Sequence, residues 1–307
     1  MGKFLIARLA QSLVSLFVIS FIVFVLGSMT GKEIDFLLPL DEAITADEIH
    51  ELRVAYGLDK SRIERYRDYL WGLARGDLGF SRTEQRPVWK VIADRLPATL
   101  QLASAVLLAT VAVSIPLGVL SAVKRGSLLD YLARIFAFIN QAIPTFWLAL
   151  VLILVFGVWL NVLPVAGKEG FTHYILPVIA IMGGATAGLT RLTRSAMLEV
   201  LDSEYIKLVR AKGVPNRWVI WKHALKNAMI PIITYIGLLT AGLLNGVLVG
   251  EIIFAWPGIG RVTFAAINER DFVLLQGVVL FIAVLYLGIN FLVDVIYASV
   301  DPRIRYE

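Results

Sequence analysis

No cysteine occurs among the 307 residues, which excludes disulfides, thiolate metal sites and cysteine nucleophiles. Histidine is nearly as scarce. His50, His173 and His223 lie far apart, and the topology derived below puts them in different compartments, so no shared metal site is expected. The chain has no H-E-x-x-H, no G-x-S-x-G and no G-x-x-x-x-G-K-[ST] motif. It therefore has neither those two catalytic arrangements nor that loop for holding nucleotide phosphates. If ATP drives this protein, another chain must bind it. No catalytic set emerges, and nucleic acid is not among the expected partners. Charge is also low, at 17% of residues, where a soluble domain carries nearer a quarter.

What the chain has instead is apolar residue, 58% of the total. Six runs approach the roughly 20 residues needed to cross a bilayer as helix, and they define an all-α membrane protein. They are Leu9–Met29, Ala98–Val123, Leu132–Leu160, Leu176–Leu189, Ala228–Phe254 and Phe272–Val300. The fourth is short and glycine-rich, and extends naturally toward Thr172 and Thr193. The first, although N-terminal with a small basic flank, lacks a convincing small-x-small cleavage site and reads as a retained signal-anchor helix.

Orientation follows from Lys and Arg in the short loops. Lys3 and Arg8 precede the first span, and Lys124, Arg125 and Arg134 follow the second. Eight Lys or Arg lie between Arg191 and Lys226, and Arg303 and Arg305 close the chain. The short loops on the other side offer only Lys168, Arg261 and Arg270. Both termini and the 191–227 segment are expected in the cytoplasm. The chain divides into the N-terminus with helix 1 (1–29), a long extracytoplasmic loop (30–97) and a core (98–307). That loop reads as a folded cap. Thr45 and Glu48 suit a capping box, followed by helical periodicity at Ile49, Leu52, Tyr56, Ile63, Tyr66 and Leu70.

The cytoplasmic segment divides at Gly213-Val214-Pro215. In its first piece Tyr205, Leu208, Val209 and Lys212 follow helical spacing, with Glu204, Lys207 and Arg210 on other faces. Gly213 ends that helix in the left-handed conformation a C-terminal cap needs, and Pro215 prevents immediate resumption. In the second piece Trp218, Trp221 and Leu225 share a face flanked by Arg217, Lys222 and Lys226, which suits a helix at headgroup level. A basic loop obeying the positive-inside rule has the same composition. A short helix closed by glycine and pointed away from the membrane is also what a docking peg requires.

EYIKLVRAKG followed by KNAMIP resembles the cytoplasmic "EAA" loop of ABC-transporter permeases, with Gly213 as its glycine. Lys207, Leu208 and Val209 replace the literal Glu-Ala-Ala. Tyr205, Arg210, Ala211, Lys212 and Gly213 match the form usual in the dipeptide/oligopeptide/nickel branch. RGDLGFS (Arg75–Ser81), RLPATLQLA (Arg95–Ala103), the Ile143–Gly167 run, GEIIFAWPGIGR (Gly250–Arg261), RDF with QGVV (Arg270–Val279) and DPRIRY (Asp301–Tyr306) extend the likeness over most of the chain. The sequence is identified as similar to the B-type permeases of that branch.

The resemblance implies a type I importer fold with six transmembrane helices. It implies a second homologous permease, two ATPases carrying ATP and Mg, a solute-binding protein and an inner-membrane location. Peptides are the expected cargo, with nickel, metal chelates, glutathione and opine-like solutes as alternatives. A stand-alone channel, a secondary transporter or a membrane enzyme finds no supporting charge relay, repeat or acid–base cluster. The coupling helix would be Glu204, Tyr205, Lys207, Leu208, Val209, Arg210, Ala211 and Lys212, closed by Gly213.

Polar residues inside spans are costly, which makes Asn140, Gln141, Asn245, Glu251, Asn290 and Asp294 pathway candidates; the alternative is interhelical hydrogen bonding for Asn140, Gln141 and Asn290, and pairing with a cytoplasmic-side Arg or Lys for Asp294. Glu251 reads either as an attractor at the outer mouth or as a hydrogen-bond acceptor for the Trp256-Pro257-Gly258 turn. Gly242, Gly246 and Gly250, with Gly184 and Gly188, form small-residue stripes suited to helix packing.

Overall fold

The computed structural model describes residues 2–29 and 59–300, nearly all of them helical. The capping box expected at Thr45 and Glu48, with Ile49, Leu52 and Tyr56, lies outside the described residues. Two compact units are present. One comprises Gly2–Pro97 with Arg261–Gly288; the other comprises Ala98–Gly260 with the chain from Ile289.

In the first unit α1 spans Gly2–Met29 and α2 spans Arg62–Ala74. A capping box opens α2 at a place the sequence reading overlooked. The Ser61 hydroxyl accepts from Glu64 N at 3.3 Å, and the Glu64 carboxylate accepts from Ser61 N at 3.0 Å. Tyr66 then packs its ring against Phe21 and Phe24 of α1 at 5.5 and 5.1 Å, and its hydroxyl meets Ser20 at 3.0 Å. The buried polar Ser20 is thereby satisfied.

A two-residue hairpin, β1 (Phe80–Ser81) and β2 (Arg86–Pro87), joins this unit to its last helix, α10 (Phe272–Val300). Asp271, just before that helix, accepts from the Ser81 hydroxyl (2.7 Å), from the Thr83 hydroxyl and N–H (3.0 and 3.1 Å) and from Leu274 N (2.9 Å). The motifs at Arg75–Ser81 and Arg270–Val279 are thus two halves of one contact. Burial pushes the Asp271 carboxyl up, but the backbone and hydroxyl donors outweigh it and hold it below its ordinary value. A carboxyl depressed in the folded state stabilises the fold above its unfolded pKa and ceases to do so as pH falls through the folded one. The melting temperature of purified protein should therefore drop as pH falls below about 4. Asp271→Asn should be less stable at pH 7 by about 1.5–3 kcal/mol and should flatten that acid limb.

α3 (Val88–Val123), which carries the chain from the first unit into the second, is continuous through Pro97 and begins ten residues before the expected span. The expected third span is not one helix. α4 (Leu128–Ala142) and α5 (Thr145–Trp159) meet at a bend of 102°. Pro144 cannot donate its missing N–H and forces Ile143 out of helical geometry, to φ −84° and ψ 123°. α6 (Thr172–Leu201) is much longer than the apolar run that announced it. α7 (Glu204–Ala211) follows, then α8, which runs from Asn216 to Ile253 through a π-helical segment at Val219–Ala224; α9 (Ile259–Asn268) belongs, from Arg261 on, to the first unit. Among the described residues five helices are long and apolar enough to cross a membrane, or six if the bent pair forms one span.

The helix expected around Trp218 is present but is not a separate element. It is the first two turns of α8, continuous with the fifth span. A proline at the start of a helix costs no hydrogen bond, so Pro215, which prevents α7 from continuing at once, also opens α8.

Candidate functional site

α7 is an eight-residue helix linked to α6 by only Asp202 and Ser203. Ile206 and Val209 are buried in a cluster with Val119, Ala122, Leu189, Met197, Val219 and Ala224. They fasten the short helix to the ends of α3, α6 and α8. Burying a side chain of this size contributes about 1.5–3 kcal/mol, which an isolated eight-residue helix needs in order to persist.

This corrects the assigned phase. Val209 faces inward, and Ile206, absent from the candidate set, is its partner one turn earlier. The alternative spacing Ile206–Val209 was the signal that could have found it. The outward face carries Tyr205 and Leu208, 47% and 56% exposed, with Glu204, Lys207, Arg210, Ala211 and Lys212 also exposed. Lys207 pairs with Glu204 at 2.7 Å, an exposed contact worth a few tenths of a kcal/mol. Gly213 takes φ +74° and its N–H returns to Arg210 O at 2.9 Å, so the expected left-handed cap is present. The two faces predict different mutant behaviour. Ile206→Ala should lower stability by about 2–5 kcal/mol, and Leu208→Ala by no more than about 0.5, compared as melting temperatures in detergent.

Two polar contacts brace the helix and its support. The Tyr205 hydroxyl lies 2.8 Å from His223 Nδ1, on the π-helical segment of α8. Below, Asp130 is almost wholly buried. Its carboxylate accepts from Arg194 Nε (2.8 Å) and Nη2 (3.0 Å), from the Ser121 hydroxyl (2.6 Å) and from Gly126 N (3.0 Å). Sequence reasoning missed both members of this ion pair. Its only local trace was Ser127 capping Asp130 N, three residues on.

The pathway candidates do not converge. Asn140 is half-buried, donates to Phe136 O at 2.9 Å and packs on Gly183; Gln141 and Asn245 are exposed; Asn290 and Asp294 are half-buried on α10. Glu251 is fully buried and accepts from Gly260 N at 2.6 Å, so its place as a mouth attractor gives way to the hydrogen-bonding alternative. Around it Trp256 Nε1 donates to Ala98 O at 2.9 Å and Ile259 N to Thr99 Oγ1 at 2.9 Å, closing the 254–260 loop onto α3. The glycine stripe also splits. Gly246 and Gly250 face the Ile181 side chain and Gly188 faces Tyr235, whereas Gly184 and Gly242 have open space.

This arrangement, with its short helix outside an α-helical membrane core, matches a known family. The model for the binding-protein-dependent transport system inner membrane component covers residues 114–306, and the model for the N-terminal part of such membrane components covers 1–103. The chain belongs to this family. It is a multi-pass inner-membrane permease of the ABC importer type.

Its relatives include the dipeptide transport system permease protein DppB of Escherichia coli, 35% identical with both chains covered completely. The di/tripeptide transport system permease protein DppB of Pseudomonas aeruginosa is 38% identical over 87% of each chain. The glutathione transport system permease protein GsiC of E. coli is 36% identical over all of both. Among solved structures, a chain of the inward-facing MetNI methionine ABC transporter matches with TM-score 0.59 at 19% identity, covering 69% of this permease and 97% of that chain. At that identity the likeness establishes the fold, that of type I importer permeases.

Proposed function

We propose that this permease moves peptides of two or a few residues inward, driven by ATP hydrolysed with Mg on two separate ATPase subunits. It would act beside a second, homologous permease and accept its cargo from an extracytoplasmic binding protein. The observation that carries the reading is full-length similarity to dipeptide permeases, joined to an α7 that offers an exposed Tyr205–Leu208 face on a buried Ile206–Val209 base. That outward face suits a groove on an ATPase. Lys207, Arg210 and Lys212 would add charge contacts, each worth under about 1 kcal/mol. Both termini and the 191–227 segment would then lie in the cytoplasm, as the Lys and Arg distribution favours.

The test is uptake by proteoliposomes holding the full assembly, with labelled alanyl-alanine, trialanine and glutathione as probes. ATP-dependent accumulation of a peptide only when the binding protein is present supports the reading. Accumulation of glutathione alone would favour the second reading, to which the 36% identity with the glutathione permease points. Leu208→Ala should weaken ATPase binding by roughly five- to thirtyfold, since truncating one apolar contact at an interface costs about 1–2 kcal/mol.

A further inference from the structure

We propose that the Asp130–Arg194 pair is the positioning element that passes movement of α7 to the bent helix pair α4–α5. The inference rests on the ATP-driven permease reading above and goes beyond it by naming where the force is handed on.

Three features carry it. First, the path from α7 to Arg194 is short and stiff. Only Asp202 and Ser203 separate α7 from α6, and both are tied back to it, Asp202 N to Leu198 O at 3.2 Å and the Ser203 hydroxyl to Val200 O at 2.6 Å. Displacing α7 therefore displaces the last turns of α6, which carry Arg194. Second, the grip is geometrically specific. Arg194 binds Asp130 through two nitrogens, and the same carboxylate takes Ser121 from the end of α3 and Gly126 from the following turn. Four donors hold this carboxylate, with Arg134 Nε of the same helix a further 3.6 Å neighbour of Oδ1. Third, Asp130 sits in the first turn of α4, the limb that ends at the 102° bend. Because α4 also packs along α6, with Asn140 against Gly183 at its far end, the pair fixes how the first turn of α4 sits on α6, and a pull at Asp130 moves that limb relative to the bend at Pro144. A buried ion pair is poor evidence for stability by itself, but a fixed, bidentate one is well suited to transmitting a displacement.

The experiment uses the complete reconstituted importer and measures alanyl-alanine uptake and ATP hydrolysis in the same vesicles. Arg194→Lys keeps the charge but removes the two-pronged geometry, and Asp130→Asn removes the charge. Both are expected to lower peptide taken up per ATP hydrolysed at least tenfold, with hydrolysis within about twofold of wild type. The double variant should be no worse than the worse single one, because the two residues act as one unit. If uptake and hydrolysis fall together, tracking the amount of inserted protein, the pair is merely structural and the proposal is overturned. Should Asp130→Asn fail to insert, Ser121→Ala leaves the ion pair in place and removes one donor. A two- to fivefold drop in the ratio is then expected, and an unchanged ratio overturns the proposal. A wild-type assembly without ATP-driven uptake would refute the function proposed above. Normal wild-type uptake with variant ratios unchanged would refute this inference alone.

Discussion

Gly213→Val is expected to abolish ATP-driven uptake while leaving the permease inserted in the membrane. The glycine has φ +74°, and a Cβ added there would meet nothing within 4 Å, so its requirement is purely one of backbone conformation. An L-residue in that region costs about 1–2 kcal/mol, and a β-branched one more. Ile206 and Val209 resist displacement of the helix they anchor. The strain falls instead on the last turn of α7, where the exposed Arg210, Ala211 and Lys212 belong to the proposed docking face. A partial unwinding there changes the shape presented to the ATPase without disturbing the membrane core. Asparagine tolerates the left-handed region, so Gly213→Asn should retain most uptake and Gly213→Ala should fall between. The series is read by peptide uptake against an immunoblot of membrane-inserted protein. Normal uptake by the valine variant would remove the role given to this turn.

Gly260→Ala is expected to be the most damaging small substitution, acting on folding. A Cβ at this position would strike main-chain atoms of Leu248, with the Cα at 2.8 Å and the carbonyl carbon at 2.9 Å. A backbone obstacle inside α8 cannot rotate aside as a side chain can. Overpacking of this kind costs up to about 3 kcal/mol. The shift it forces also breaks the bond from Gly260 N to the buried Glu251 carboxylate, worth about another 1.5–3 kcal/mol. Together these predict more than a tenfold loss of folded protein, seen as lower membrane yield and melting temperature. Gly242→Ala, at a glycine with nothing within 4 Å, should change both by less than the equivalent of about 0.5 kcal/mol. Equal effects at the two glycines would discredit the close-approach account.

Sequence alone revealed the features that depend on composition over many residues. Long apolar runs located the membrane helices, and Gly213 located the end of α7, because both signals are local. Features set by direction or by distant partners were hidden. Hydropathy is blind to the angle at Pro144, so a sharply bent pair looked like a single span. In the eight residues of α7, the exposed aromatic Tyr205 and Leu208 have the same helical spacing as the buried Ile206 and Val209. Periodicity could not choose between the two phases without knowing what lay beneath. Glu251 offered two readings because a carboxylate's role depends on which backbone amides surround it, and Gly260 is nine residues further on. Asp130 and Arg194, 64 positions apart, gave no sign of their pairing.

The π-helical segment at Val219–Ala224 has a geometric consequence for the start of α8. A π segment holds one residue more than the α-helical turns it replaces. Everything before it is therefore wound back by about 100° and set about 1.5 Å further out than a regular helix would place it. In α8 what comes before is Asn216–Trp218, the turn that receives the chain from Gly213 and Pro215. The single supernumerary residue therefore sets where Trp218 and the incoming turn stand, while the Ile206–Val209 base fixes which face of α7 carries Tyr205 and Leu208.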